Sequence, residues 1–432
     1  MRLICAGLNH VSAPLALREA VAVAPDAEAD LLRDLHRRRP EAEFLLLNTC
    51  NRTELYALRP RHSRPREEEL RDVLLSHRTE PSAALREAIY ARAGVEAVRH
   101  LFSVAAGLDS LVPGESQIVS QVKRAMATAR SAGAAGAAMT RLLAEALRTA
   151  RRVRRETPIA RGKASVASVA MQAVRDMFPP PAEPSVLTIG GGTMIELFLR
   201  LLKKRRTGPI FVANRSFTRA KELAAACEGC PTPFEDLEGA LAKIDVVVTC
   251  TAAPEPILRA DMLRHARRER NGSPMLLVDL AVPRDVEPAA ADIPGVRLRN
   301  LDDLSDIVAR TVERRAEYID AAAEIVSRHV ARYVRTADVR TVAPTIDALY
   351  RRIEETLNVE LAEAANKLST HDDQNEDMEI LRRTLHRALR RFCHPAVETL
   401  RAEAADGAGG AHAETLRILF QLSDTMENGR EG

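Results

Sequence analysis

Cys50 has neighbours that suit a nucleophile. Four apolar residues, Phe44 to Leu47, run straight into Asn48-Thr49-Cys50-Asn51-Arg52. The pattern reads as a buried strand ending in a tight turn that presents one thiol. Arg52 brings fixed positive charge two residues on, and positive charge favours the thiolate, the reactive form. The competing reading is a small structural cysteine at a strand end. About 140 residues later, Gly190-Gly191-Gly192-Thr193-Met194-Ile195 follows an apolar run and opens a helical one. Glycines there let the backbone approach a pyrophosphate, and the helix N-terminus offers N–H groups and partial positive charge. Ile195 stands where the usual fingerprint has its third glycine, so an ordinary strand-to-helix turn competes. The next apolar run ends at Ala213-Asn214-Arg215-Ser216. Sites for NAD often place an acid there. Arg215 beside a hydroxyl, with Arg219 near, instead suits the 2′-phosphate of NADP. A thiol together with a hydride carrier points to acyl reduction through a thioester.

Other polar residues are less decisive alone. Gly107 to Ile118 carries Asp109, Ser110, Glu115, Ser116 and Gln117 around a Pro113-Gly114 break where a helix would otherwise continue. That is either a hydrogen-bonding loop for a small polar ligand or a capped helix-turn-helix. His100 sits in a helical stretch, where a lone histidine is usually without a role. Cys227 and Cys230 have the spacing of half a metal site, but no second pair or nearby histidine accompanies them, so no metal is expected. The arginines at 148, 151, 152, 154 and 155 read as a solvated helix face that could also meet phosphates.

The elements that would position these groups follow from pattern. Arg2–Leu8, Glu43–Asn48 and Arg52–Leu58 read as strands, the last returning antiparallel to the second. Pro14–Val23 and Asp26–Arg38 read as helices. From Val95 to Arg155 the pattern is helical, interrupted at Gly107, at Pro113-Gly114 and at Gly133–Ala138. Pro179-Pro180-Pro181 marks a linker. Beyond it, Ser185–Ile189, Pro209–Ala213, Ile244–Thr249 and Met275–Leu280 alternate with helical segments, the βαβ texture of a covered parallel sheet. No Gly or Pro lies between Pro294-Gly295 and Pro344, and the apolar spacing there predicts one very long helix from Leu304. Thr345–Leu368 and Met378–Ala402 follow as amphipathic helices, and Ala404–Ala411 as a flexible spacer. The fold class is therefore multidomain α/β. An α+β catalytic domain (1–156) precedes a Rossmann-like NADP-binding domain (157–303), a long spinal helix (304–343) and an all-α tail (344–432).

Composition narrows the class. The 432 residues carry a net charge of +3, so no global basic field announces nucleic acid. Six cysteines form no disulfide framework, and no apolar run is long enough to span a bilayer. A cytoplasmic protein is expected.

Several motifs, in order along nearly the whole chain, resemble the glutamyl-tRNA reductase family. They are Gly7-Leu8-Asn9-His10 with Ala13-Pro14 and Arg18-Glu19, then Thr49-Cys50-Asn51-Arg52-Thr53-Glu54-Leu55-Tyr56. Ala106 to Ser110, Gly114-Glu115, Gln117-Ile118 and Gln121-Val122-Lys123 form another, and Val278 to Asp285 a further one. The tail from Val342 resembles that family's dimerisation domain. Asn48, Pro113, Ser116 and Thr193 depart from its usual pattern.

The resemblance implies NADPH-dependent reduction of glutamyl-tRNA to glutamate-1-semialdehyde, the first step of the five-carbon route to tetrapyrroles. Cys50 would be the nucleophile and His100 a residue important for activity. Thr49, Asn51, Arg52, Ser110, Glu115, Ser116, Gln117 and Gln121 would hold the glutamyl group, with Arg52 able to pair with its carboxylate. Gly190, Gly191, Gly192, Thr193, Met194 and Ile195 would hold NADPH. The resemblance further implies a homodimer through the C-terminal helices, with hand-off to glutamate-1-semialdehyde aminotransferase as a possible partnership. Two rivals stand beside it. One is an NADP-dependent dehydrogenase of a free alcohol or ketone, which would not depend on Cys50. The other is a non-catalytic dimeric binding protein that kept the fold.

Overall fold

A computed structural model describes residues 2–60, 63–76, 82–160, 165–205, 207–270, 273–304, 316–367, 374–405 and 409–422. The chain divides into two compact units, Arg2–Ser327 and Arg328–Gly432.

The first unit holds two sheets. The N-terminal sheet contains β1 (Arg2–Asn9), β2 (Glu43–Thr49), β3 (Arg52–Arg59) and β4 (Tyr90–Ala93) in the order β2-β3-β1-β4, all antiparallel. β2 and β3 are the expected hairpin. Leu45, Leu46 and Leu47 are buried, and Thr49 pairs with Arg52, which leaves Cys50-Asn51 as a two-residue loop. Helices Leu15–Val21, Glu28–Arg38, Val95–Ala106, Gln117–Ser131 and Ala137–Glu156 surround this sheet, with their breaks where Gly and Pro fall.

The second sheet is wholly parallel. It comprises β5 (Val186–Ile189), β6 (Ile210–Ala213), β7 (Cys230–Thr232), β8 (Val246–Thr249), β9 (Met275–Asp279) and β10 (Val296–Arg299). Their order is β10-β9-β8-β5-β6-β7. Read from the other edge this is the doubly wound dinucleotide-binding order, with the strand sequence reversing between β5 and β8. Alternation sorts its side chains. Val186, Val212, Val246, Val248 and Leu276 join one core, and Leu187, Ile189, Val247 and Leu277 the other. The short edge strands β7 and β10 lack long apolar runs and were not expected.

The two lobes of this unit are joined by reciprocal charges. Arg18 pairs with Asp302. Arg284 meets Glu19 with Nη2 at 2.7 Å, Nε at 2.9 Å and its backbone N–H at 2.7 Å.

The second unit is helical. Val342, Ile346, Leu349, Cys393, Val397, Leu400, Ala404 and Ala413 form its core. Sequence pattern misplaced one boundary. The described helix Ala316–Lys367 runs through Pro344 rather than stopping there. Proline removes one backbone donor, and flanking apolar residues such as Val342, Ile346 and Leu349 hold the helix through that defect. Gln374–Ala405 likewise contains Pro395. The start of the expected long helix, 305–315, lies outside the described residues, as do 406–408 of the expected spacer. Gly409–Leu419, whose first three residues fall within the expected spacer, is helical.

Candidate active site

The Thr49 side chain builds the thiol loop. Its Oγ1 accepts the backbone N–H groups of Asn51 and Arg52, each at 3.2 Å, closing the hairpin turn. Two outside contacts fix the loop. Arg18 Nη1 donates to the Cys50 carbonyl at 2.8 Å, and the His10 N–H donates to the Asn51 carbonyl at 3.0 Å.

One pocket gathers most of the expected catalytic and substrate-binding residues. Thr49, Cys50, Asn51, Arg52, Ser110, Glu115, Gln117 and Gln121 line it, together with Ile118, Val166 and Met194. Gln117 and Gln121 share a face of the helix Gln117–Ser131, one turn apart. The preceding turn needs Gly114. Its φ is +85°, and a Cβ there would lie 2.4 Å from the Ile159 carbonyl oxygen. Met194 comes from the glycine-rich loop's helix, so the cofactor lobe supplies part of the wall around the thiol.

Two expected residues lie elsewhere. Ser116 is exposed, at the N-cap of its helix, and does not line the pocket. His100 is buried behind it in a polar cluster centred on Glu54. Its Nε2 lies 2.8 Å from Glu54 Oε1, the Tyr56 hydroxyl donates to Oε2 at 2.6 Å, and the Tyr90 hydroxyl donates to Oε1. Arg52 Nη1 reaches the same Oε1 at 2.7 Å and Asp109 Oδ2 at 2.8 Å, while Nη2 donates to the Asp109 carbonyl. Burial pushes the Glu54 carboxyl up, but Arg52 and His100 outweigh it and hold that carboxyl well below the usual range. Glu54, His100 and Asp109 also converge closely enough to ligate a cation. The Arg52 guanidinium already occupies that role, with its charge set between the two carboxylates.

Arg52 is therefore committed to Glu54 and Asp109, and this alters the thiol. The Cys50 thiol is pushed up to about 11, first by burial and next by the Glu115 carboxyl; Arg18 and Arg52 pull it down without prevailing. Proximity of Arg52 in sequence does not make a resting thiolate. Burial also raises Glu115 to about 7, against the opposing pull of the Val166 N–H.

The glycine-rich loop has the form of a phosphate cradle. Gly190 follows β5 at φ +126°, and a Cβ would strike the Cys250 carbonyl at 2.4 Å. Gly192 has open space where a side chain would project, just before the helix Thr193–Leu202. Ile195, in place of a glycine, is buried in the core beneath. Asn214, Arg215 and Ser216 lie at the end of β6 beside this loop. Arg215 is exposed and makes no ion pair among the described residues, whereas Arg219 is bound to Gly191, Glu196 and Glu222. The glycine-rich loop and the residues after β6 fit a dinucleotide.

The roles of Arg18, Glu54, Tyr90 and Asp302 were not read from sequence. A local signal existed for Glu54. It is an acid inside an apolar strand, two residues from Arg52 and so on the same face. No local signal exists for Arg18 and Asp302, which are 284 residues apart.

Known proteins and family profiles match this chain along most of its length. Residues 6–157 match a family profile described as glutamyl-tRNAGlu reductase, N-terminal domain, and residues 321–422 match that family's dimerisation domain. Residues 172–307 match the profile of shikimate/quinate 5-dehydrogenase. The glutamyl-tRNA reductase of Halorhodospira halophila is 38% identical over 432 residues, covering 99% of this chain and 95% of that one. The Myxococcus xanthus protein of the same name is 36% identical over 424 residues, covering 98% and 94%. The solved glutamyl-tRNA reductase of Methanopyrus kandleri is 31% identical, with a TM-score of 0.48, covering 95% of this chain and 98% of that one. With a full-length relationship of this strength, the chain belongs to the glutamyl-tRNA reductase family.

Proposed function

We propose that the protein reduces glutamate esterified to tRNA to glutamate-1-semialdehyde and releases the tRNA, with Cys50 as acyl carrier and NADPH as reductant. Family membership makes it an oxidoreductase of the first step of tetrapyrrole synthesis. The observation that carries the finer reading is the shared wall: Cys50 and Met194 of the glycine-loop helix line one pocket. A free-alcohol dehydrogenase would have no use for a thiol there.

An aminoacyl ester is already activated, so ATP is not required. The Cys50 sulfur attacks the ester carbonyl, the 3′-ribose oxygen leaves, and the glutamyl group remains as a thioester. Thr49, Asn51, Ser110, Gln117 and Gln121 offer neutral hydrogen-bonding groups to the glutamyl chain. Arg52 offers N–H donors whose charge is balanced by Glu54 and Asp109. His100 supports Arg52 through Glu54, so it is a positioning residue. Ile118, Val166 and Met194 exclude water from the thioester.

Gly190 to Ile195, with Asn214, Arg215 and Ser216, would hold NADPH, and its 2′-phosphate would meet Arg215. When bound, the cofactor supplies the hydride that turns the acyl group into an aldehyde. We assign residues 1–156 to glutamyl-tRNA recognition, 157–303 to the cofactor, 304–343 to the spine and 344–432 to dimerisation. Exposed Ile380, Phe392, Ile418 and Leu419 support a homodimer through that tail. The reactive aldehyde favours direct transfer to the aminotransferase that consumes it. No described helix is long and apolar enough to cross a membrane, and the described cysteines are free, which supports a cytoplasmic setting.

Mass spectrometry after mixing with glutamyl-tRNA, NADPH withheld, tests the reading. A glutamyl adduct on the Cys50 peptide is expected. Semialdehyde production by a Cys50→Ser protein would overturn it.

A further inference from the structure

We infer that Glu115 is the proton carrier of acyl transfer: it takes the Cys50 proton and returns it to the ribose oxygen that leaves. The inference rests on the acyl-enzyme reading of Cys50.

A thiol pushed up to about 11 needs a base when it attacks. An alkoxide leaving from an ester needs an acid. One group with both capacities, facing both atoms, would satisfy the step. Glu115 lines the pocket with Cys50, and its carboxyl is close enough for its charge to raise the thiol. The side chain is buried, and its Oε1 has no hydrogen-bond partner among the described residues. Buried carboxylate oxygens are normally partnered, so this one is free for a group that arrives with substrate. The backbone is held firmly, with the Glu115 N–H donating to the Val112 carbonyl at 3.0 Å. The Val166 N–H bonds to the carboxyl, and burial brings the group to about 7, where acid and base forms coexist near neutrality.

The alternatives are otherwise engaged. His100 is bound to Glu54 and does not line the pocket. Asp109 is paired with Arg52. His10 does not line the pocket, and burial lowers it to about 4.

The step balances without a further reactant. The S–H proton passes to Glu115 Oε1 as the sulfur–acyl bond forms. The ester C–O bond breaks, its electron pair goes to the ribose oxygen, and that oxygen takes the proton from Glu115. The carboxylate is regenerated and nothing is oxidised or reduced.

Acyl transfer to Cys50 can be timed by quenched mass spectrometry without NADPH. Two donors are compared: glutamyl-tRNA, and a p-nitrophenyl ester of glutamate, whose leaving group departs without a proton. For Glu115→Gln, the saturating rate from glutamyl-tRNA is expected to fall on the order of 10²-fold. The loss with the nitrophenyl ester should be markedly smaller, and Glu115→Asp should recover part of the first loss. Denaturant unfolding midpoints report whether each variant keeps its fold. Equal losses with both esters, or a change confined to the substrate concentration for half-saturation, would overturn the role of Glu115 alone. Absence of any adduct on the unmodified protein would overturn the acyl-enzyme reading beneath it.

Discussion

Arg18 holds Cys50 by its backbone. One guanidinium nitrogen donates to the Cys50 carbonyl at 2.8 Å, and the other binds Asp302 of the cofactor lobe. Thiol position and lobe contact thus depend on one side chain. Arg18→Gln removes a cation that lowers the thiol, so Cys50 alkylation at pH 9 should slow. Denaturant unfolding should show a loss of about 2 kcal/mol, below the figure for a fully buried pair because Asp302 is partly exposed. Unchanged alkylation would disconnect Arg18 from the thiol.

Iodoacetamide labelling of Cys50 should rise about tenfold per pH unit from 7 towards 10, because the thiol is pushed up to about 11. An inflection below pH 8 would contradict the burial described. Cys250 packs into the same core as Cys50 and is raised by burial, with Cys50 contributing. Cys250→Ala should leave the glutamyl adduct in place, whereas Cys50→Ala should abolish it.

Glu54 accepts from Arg52, His100, Tyr56 and Tyr90 at once. Glu54→Gln leaves the Arg52 charge in the interior with Asp109 as its remaining counter-ion. The expected loss is about 3–5 kcal/mol, read from denaturant midpoints. A loss below about 1 kcal/mol would mean that the cluster is not held by its charges.

Arg215→Ala should weaken NADPH binding by about 10- to 100-fold, the range for a lost charge-assisted phosphate contact. NADH binding should barely change. Fluorescence titration with both nucleotides decides this, and equal losses would argue against a phosphate at Arg215.

Asp279 accepts the Ala281 and Val286 N–H groups at 3.0 and 2.9 Å and the Thr249 hydroxyl at 3.1 Å. Burial, helped by Asp285, nevertheless raises it to about 7. Asp285 is itself raised by burial and held by Thr251. An unfolded aspartate releases its proton near about 3.9. Between these values the folded chain holds the proton more tightly. This contribution is therefore complete below about pH 4 and is lost as pH rises through 7. Asp279→Asn should flatten the stability profile across that window, measured by denaturant midpoints at stepped pH.

Local pattern revealed much of this architecture. The apolar run before Thr49 marked β2, Gly and Pro marked the helix breaks, and alternating apolar strands marked the parallel sheet. The pocket was legible where its residues cluster in two short segments, 49–52 and 110–121. The electrostatic state of Cys50 was not, because it depends on Glu115 and Arg18, remote in sequence, and on where the Arg52 charge is directed. Pro344 misled because a local breaker was outweighed by tertiary packing. His100 carried no spacing that could tell a buried partner of Glu54 from a group facing substrate.

Arg18 and Glu19 are adjacent residues of opposite sign, and each finds its opposite on the cofactor lobe, at Asp302 and Arg284. Such a couple is keyed like a two-pin plug. Sliding the lobes to exchange partners would set like charges face to face, so attraction in one alignment becomes repulsion in the other. The glycine-rich loop is thereby held in one alignment with the thiol.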